Sequence, residues 1–391
     1  MRIFRSQAVH RGAAGLLATL LVLQPVGLAF AGAREQAKRL HDRITGVPPS
    51  DAVLTQMASD ISGGNASAAA QRALANSSFY NVTLKNFAAP ATNRDQSVFV
   101  PLNDYTATII GMIRDDVDFS TVLSADVVYV GSTSGAPAYS SADNAHYQYL
   151  QDNAVDLNSA LQAQTQSGLL GLPVAATAGI MTTRAAAQAF FIAGTNRAMF
   201  RFTLINYQCR DMEQVNDTTR SAERIRQDVS RSPGGDSRVF LNNCIGCHTG
   251  MDPMAQAFAY YNFNEATGRM EYTGGSVQPK YLINADNFRA GYVTTDDHWN
   301  NFWRNGPNQL LGWDSAMSGA GTGAKSLGQE LAHSDAFAEC QVEKAFKAMC
   351  LREPGNAADR ARVQQVKASF KSGGYKMKQV FADTAVYCMG D

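Results

Sequence analysis

Cys244, Cys247 and His248, in the run Cys244-Ile245-Gly246-Cys247-His248, are the residues whose types and spacing point most directly to chemistry. Two thiols two residues apart, followed at once by an imidazole, form the attachment signature of a c-type haem. The thiols would make thioether bonds to the haem vinyl groups. The His248 imidazole would lie over the iron as an axial ligand. The spacing has a mechanical reason: two intervening residues let both sulfurs reach one edge of the porphyrin while the next side chain turns under the metal. One copy of the motif implies one haem c, covalently attached. A structural zinc ion needs four ligands. These three residues cannot supply them alone, and no second C-x-x-C exists.

The opposite face of the iron decides the chemistry. A Met thioether there would give Met/His ligation and a raised potential. Met317, in the glycine-rich stretch before the C-terminal helices, is the first candidate metal ligand beside His248. His298 and His333 are the alternatives, and an open iron is a further one. Met251 is too close to His248 to reach across, and Met254 and Met270 read as core. Arg269, Trp299, Trp303, Arg304 and Trp313 follow the motif, and all three tryptophans of the chain are among them. Arg and Trp N–H groups satisfy buried haem propionates, whose unpaired burial is costly. Arg269 and Trp313 are therefore assigned to cofactor binding.

These residues need a scaffold, and most of the chain reads helical. Apolar residues recur at helical spacing in 34–44, 52–61, 65–74, 104–114, 184–193 and 197–207. Val127 to Val130 reads as extended. The stretches 131–143 and 307–328 read as loops. Thr218 to Val229 reads as a polar helix ended by Ser232-Pro233-Gly234-Gly235. A helix over 237–247 would carry the motif at its C-terminal end. Helices over 327–351, 358–371 and 376–387 finish the chain. The fold class expected is mainly α, divided at about residue 225. The first part, 32–225, is a helical domain of unknown role. The second, 226–391, is a cytochrome c-like helical haem-binding domain.

The chain has 391 residues, 45% apolar and 17% charged, with 34 basic against 34 acidic side chains. That is globular composition. It offers no basic field for nucleic acid. Residues 1–31 read as a secretory signal peptide, with Arg2, Arg5 and Arg11, the apolar stretch 13–23, and a small-x-small cleavage site at Ala29-Phe30-Ala31. Its removal leaves 31 basic against 34 acidic residues and no second long apolar run, so no stable membrane anchor. Export agrees with haem attachment, which in bacteria takes place outside the cytoplasmic membrane. Four cysteines remain beside the motif: Cys209, Cys340, Cys350 and Cys388. An even number in an exported chain implies two disulfides. Cys340 and Cys350 lie on one predicted helix, ~15 Å apart, beyond the reach of a bridge. The pairing is then 209–340 with 350–388, or 209–350 with 340–388.

The motif extends into a longer block. Asn242-Asn243 precedes it, Met251-Asp252-Pro253 follows, and then come Ala257 to Phe263 and Gly268-Arg269. This resembles the C-x-x-C-H…D-P…NFD…G-R block of a bacterial family of exported cytochrome-like proteins, abundant in planctomycetes and myxobacteria. Leu123 to Val130, His146-Tyr147, Gly179 to Thr182, Arg197 to Cys209 and Leu331 to Cys340 resemble shorter segments of that family. The similarity runs over roughly residues 100–350. The chain lacks the family's proline cluster after Cys209. The resemblance implies an exported mono-haem module and leaves the substrate undefined.

The function expected is electron transfer between redox partner proteins in the periplasm or outside the cell. The alternative is a haem enzyme of peroxidase or oxygenase type with an open distal iron. It would need an acid–base group, for which His298, Glu265 and Glu271 are available.

Overall fold

Short polar side chains set the helix starts. In a computed structural model, which describes residues 31–390, Asn65 Oδ1 accepts the Ala68 N–H at 3.1 Å and Asn103 Oδ1 accepts that of Thr106 at 3.0 Å. Ser334 Oγ accepts from Phe337 at 3.1 Å and Asn356 Oδ1 from Asp359 at 2.9 Å. Each such cap stabilises its helix by about 1 kcal/mol. The signal peptide read at 1–31 lies, but for Ala31, outside the described residues.

The described chain is mainly helical. The N-terminal helices are α1 (Ala33–Thr45), α2 (Asp51–Ser62), α3 (Ala66–Leu74), α4 (Asp104–Arg114), α5 (Ala145–Asp152), α6 (Arg184–Phe190) and α7 (Arg197–Gln208). They are followed by α8 (Ile245–Ala255), α9 (Gly323–Ala332), α10 (Asp335–Cys350), α11 (Ala357–Ser372) and α12 (Met377–Cys388). Three two-stranded antiparallel sheets fill the connections. They pair β1 (Val128–Gly131) with β2 (Leu161–Gln164), β3 (Tyr261–Asn264) with β4 (Arg269–Tyr272), and β5 (His298–Asn300) with β6 (Ala320–Thr322). Among the described residues no helix is long and apolar enough to cross a membrane.

The core joins both ends of the chain. One cluster of buried side chains runs from Ala37 to Ala385. Helix α10 packs against α7, α11 and α12, and α12 packs against α1 and α3. The expected division at residue 225 therefore does not fall between two separate cores. Cys209 is bridged to Cys340 and Cys350 to Cys388, the first of the two pairings left open by sequence. The bridges tie α7 to α10 and α10 to α12.

Four local expectations are corrected. Thr218–Val229 is not a helix. Asp217 Oδ1 takes the Thr219 N–H and hydroxyl at 2.8 and 2.6 Å, a local bond that competes with helix formation. The segment then pairs with the chain near Tyr292, whose N–H donates to Ile225 O at 3.0 Å. The predicted helix 327–351 is two helices, interrupted where Ser334 caps the second. The glycine-rich stretch 307–328 is not all loop, because β6 and the start of α9 lie within it. The motif helix does not end at Cys247. A wide π-type turn over Phe240–Cys244 leads into α8, and Cys247 and His248 occupy its first turn.

A candidate haem-attachment site

Cys244 stands at the start of α8 and Cys247 and His248 follow within it. Residues at i, i+3 and i+4 share one face of a helix, so both sulfurs and the imidazole point to the same side. Both thiols are half-buried and unbridged, although the other four cysteines are paired. Cys244 packs against Ile225, Val229 and Phe240. Cys247 Sγ lies 3.4 Å from Met212 O. Burial, with Glu213 beside it, pushes the Cys247 thiol up from its ordinary value. That direction is the opposite of what a thiolate metal ligand or nucleophile needs. Among the described residues no group of three or more His, Cys, Asp or Glu gathers to hold a bare metal ion.

His248 is oriented by a carboxylate. Its Nδ1 is 3.0 Å from Oδ1 of Asp252, one helical turn further on. Asp252 is fully buried, and burial alone would raise its carboxyl. Arg197, then Arg226 and His248, overcome that and hold it well below the usual carboxylate range. An ionised carboxylate only accepts hydrogen bonds, so Nδ1 carries the proton in this contact, and in the neutral ring Nε2 is then the nitrogen with the lone pair. Metal-bound histidines are fixed in this way by their other nitrogen. Arg197, from the first turn of α7, donates Nε to Asp252 Oδ1 at 2.6 Å and Nη2 to Oδ2 at 2.9 Å. The same guanidinium reaches Asp228 with Nη1 at 2.6 Å and Nη2 at 2.9 Å. Arg226 gives its backbone N–H to Asp252 Oδ2 at 3.3 Å and brings Nη2 to 3.7 Å from Oδ1.

The donor set fits a covalently held haem. It offers two unbridged thiols and one imidazole nitrogen with a free lone pair, all on one helical face. Behind the imidazole stands the Asp252 side chain, one turn along the same helix. Arg197, Asp228 and Arg226 gave no sequence signal. The only available clue was the four-residue spacing of His248 and Asp252, which has meaning once a helix spans both.

The other face of α8 is closed by a tryptophan. A Cβ at Gly250 would lie 2.0 Å from Nε1 of Trp303, and one at Gly246 would lie 1.7 Å from Oδ1 of Asn216. These two glycines let the fully buried Trp303 and the 216–217 backbone approach the helix axis. Gly250→Ala gains about 1 kcal/mol of helix propensity. The overlap with an indole that has no room to retreat costs more, about 1–3 kcal/mol as for an overpacked core. A net loss of up to about 2 kcal/mol is expected in urea unfolding, and a gain in stability would refute the contact.

The remaining candidates are dispersed. Trp313 Nε1 donates to Trp303 O and Asn308 O, both at 3.0 Å, so its N–H is committed to backbone. Met317 sits in the loop 314–319. That loop is tied to the Trp303 side by Arg304 Nη2 on Asp314 O at 2.9 Å and by Asn301 N–H on Gly319 O at 2.7 Å. Trp303 covers Gly250, two residues from His248, and i,i+2 side chains do not share a helix face. Within the 314–319 loop the Met317 N–H donates to Asp314 O at 3.1 Å. His298 is exposed on β5, and His333 Nδ1 is bonded to Gln329 O at 2.8 Å. Arg269 is exposed in the β3–β4 hairpin, whose turn meets Arg184 and Ala142. Glu271 accepts from Asn262 and Asn264 within that hairpin, and Glu265 is exposed at its turn.

Fold and site together define a mainly helical, doubly disulfide-bonded chain with two unbridged thiols and a carboxylate-oriented imidazole on one helical face. No protein-family model matches the chain, and no curated protein or solved structure is significantly similar to it.

Proposed function

We propose that this is an exported mono-haem c-type cytochrome that passes electrons between redox partner proteins. The observation that carries the reading is the C-x-x-C-H face of α8, with its thiols unbridged and His248 held by Asp252 in the tautomer that leaves Nε2 free. Cys244 and Cys247 would anchor the haem, and His248 Nε2 would bind its iron. The haem would supply one-electron exchange between ferric and ferrous iron. Asp252, Arg197 and Arg226 hold the ligand and keep its nitrogen aimed. The two disulfides belong with an oxidising compartment, which supports placement in a bacterial periplasm or outside the cell. The resemblance of the block around the motif to that of the exported cytochrome-like family of planctomycetes and myxobacteria supports the same class.

A second reading, a haem enzyme with an open distal side, is favoured by one observation: His298 is exposed on β5 and His333 Nδ1 is already bonded to Gln329 O. Visible spectra of the purified, dithionite-reduced protein before and after addition of CO separate the two. Electron transfer predicts an unchanged low-spin c-type spectrum, with a side chain holding the sixth position. A CO-bound spectrum would replace that reading with the enzyme. Absence of covalent haem, from a host able to attach haem c, would overturn both.

A further inference from the structure

We infer that Asp252 is a positioning residue that sets how strongly His248 donates to the iron, and that Arg197 limits how much of the Asp252 charge the imidazole feels. This rests on the haem-attachment reading above. The inference comes from the way four groups divide one carboxylate. Asp252 Oδ1 is shared between His248 Nδ1 at 3.0 Å and Arg197 Nε at 2.6 Å. Oδ2 is shared between Arg197 Nη2 at 2.9 Å and the Arg226 backbone N–H at 3.3 Å. The arginine bonds are charge-assisted and bidentate, the stronger class. His248 therefore competes with a cation for the same lone pairs.

The two partners act on the imidazole with opposite sign. A carboxylate accepting from Nδ1–H draws that proton away and raises the basicity of Nε2. A more basic axial nitrogen favours ferric iron and lowers the reduction potential, since hydrogen bonding behind the ligand is one of the protein's levers on that quantity. Arg197 withdraws negative charge from the same carboxylate and weakens the effect. Asp228, on the far side of the Arg197 guanidinium at 2.6 and 2.9 Å, in turn occupies part of that cation. Burial keeps these interactions from being screened: Asp252 is fully buried and the Arg226 side chain is 2% exposed. The chain thus carries a graded set of charges behind one ligand, alternating in sign from Asp252 to Arg197 to Asp228.

The test uses the full-length holoprotein and its midpoint potential, read by spectroelectrochemistry. Covalent haem is first verified on a denaturing gel. Asp252→Asn removes the charge and is expected to shift the midpoint upward. Arg197→Gln frees the Asp252 charge and is expected to shift it downward. Asp252→Glu, which restores a carboxylate, should bring the value back toward that of the unsubstituted protein. A general loosening of the site would move all three variants the same way. Shifts of one sign in all variants, or no shift in any, would overturn the inference. If Asp252→Asn does not fold, Arg197→Gln and the milder Arg197→Lys decide, with a downward shift expected in both and an upward or absent shift against it. A protein without covalent haem would instead overturn the attachment reading itself.

Discussion

Serine at both Cys244 and Cys247 is expected to abolish covalent haem attachment while leaving the fold intact. Thioether bonds need the sulfurs, and a serine hydroxyl forms none under the same conditions. Both side chains are half-buried, one against a small satellite cluster and the other at the margin of the main core, so the substitution removes little packing. The measurement is haem staining of denatured protein made in a host able to attach haem c, with far-ultraviolet circular dichroism as the control for folding. Stain should fall to background in the double variant. Staining that survives in both serine positions would show that haem is held elsewhere or not covalently, and the proposed function would fail with it.

Replacing the Cys209–Cys340 pair by serine is expected to produce the largest loss of stability. The bridge closes a loop of 131 residues. Chain entropy assigns such a closure about 5 kcal/mol, against about 4 kcal/mol for the 38-residue loop closed by Cys350–Cys388. A globular protein has about 5–15 kcal/mol in all, so the first figure is a third or more of the total. Urea unfolding of the two paired variants checks both the size and the ranking. A loss below about 1 kcal/mol for Cys209→Ser/Cys340→Ser would show that packing between α7 and α10 already fixes the junction without the covalent tie.

The helices were legible where local signals and burial agreed. Asn65 and Asn103 cap helices beside the starts that the apolar spacing gave, and α1, α4, α7, α11 and α12 begin and end within a residue or two of their periodic patterns. Legibility failed where distant pairing decided. The 218–229 segment has a helical look, but its arginines and aspartates are taken by partners on α7, α8 and the chain near Tyr292. The break at Ser334 was present as a serine, yet the apolar pattern on both sides masked it. The core that joins both ends of the chain could not be read in advance, because periodicity reports which face of a helix is buried and not which helix covers it.

The candidate site was legible for the same reason in reverse. The C-x-x-C-H spacing is fixed by the geometry of a small molecule, so it survives in one dimension. The network behind His248 is fixed by tertiary contact and does not. Asp252 is four residues away on the same helix, whereas Arg197 and Arg226 approach from elements more than twenty residues distant. Closeness to the motif along the chain put Trp313 and Arg269 among the candidates, whereas in the fold the Trp313 N–H is taken by backbone carbonyls and Arg269 is exposed on its hairpin.

The bridge that closes the longest loop has a consequence for biogenesis. Cys209 leaves the ribosome before Cys244 and Cys247, and its native partner Cys340 comes only after both. Until then the two motif thiols are the nearest sulfurs. Loop-closure entropy favours pairing Cys209 with Cys244 over Cys340 by about 1 kcal/mol, because the enclosed segment is several-fold shorter. If the chain is exported to an oxidising compartment, as proposed above, it would face a kinetic choice between a mispaired and a native crosslink. Occupying Cys244 and Cys247 with another covalent partner, or keeping them reduced, removes the wrong options and leaves Cys209 to wait for the helix that completes the core.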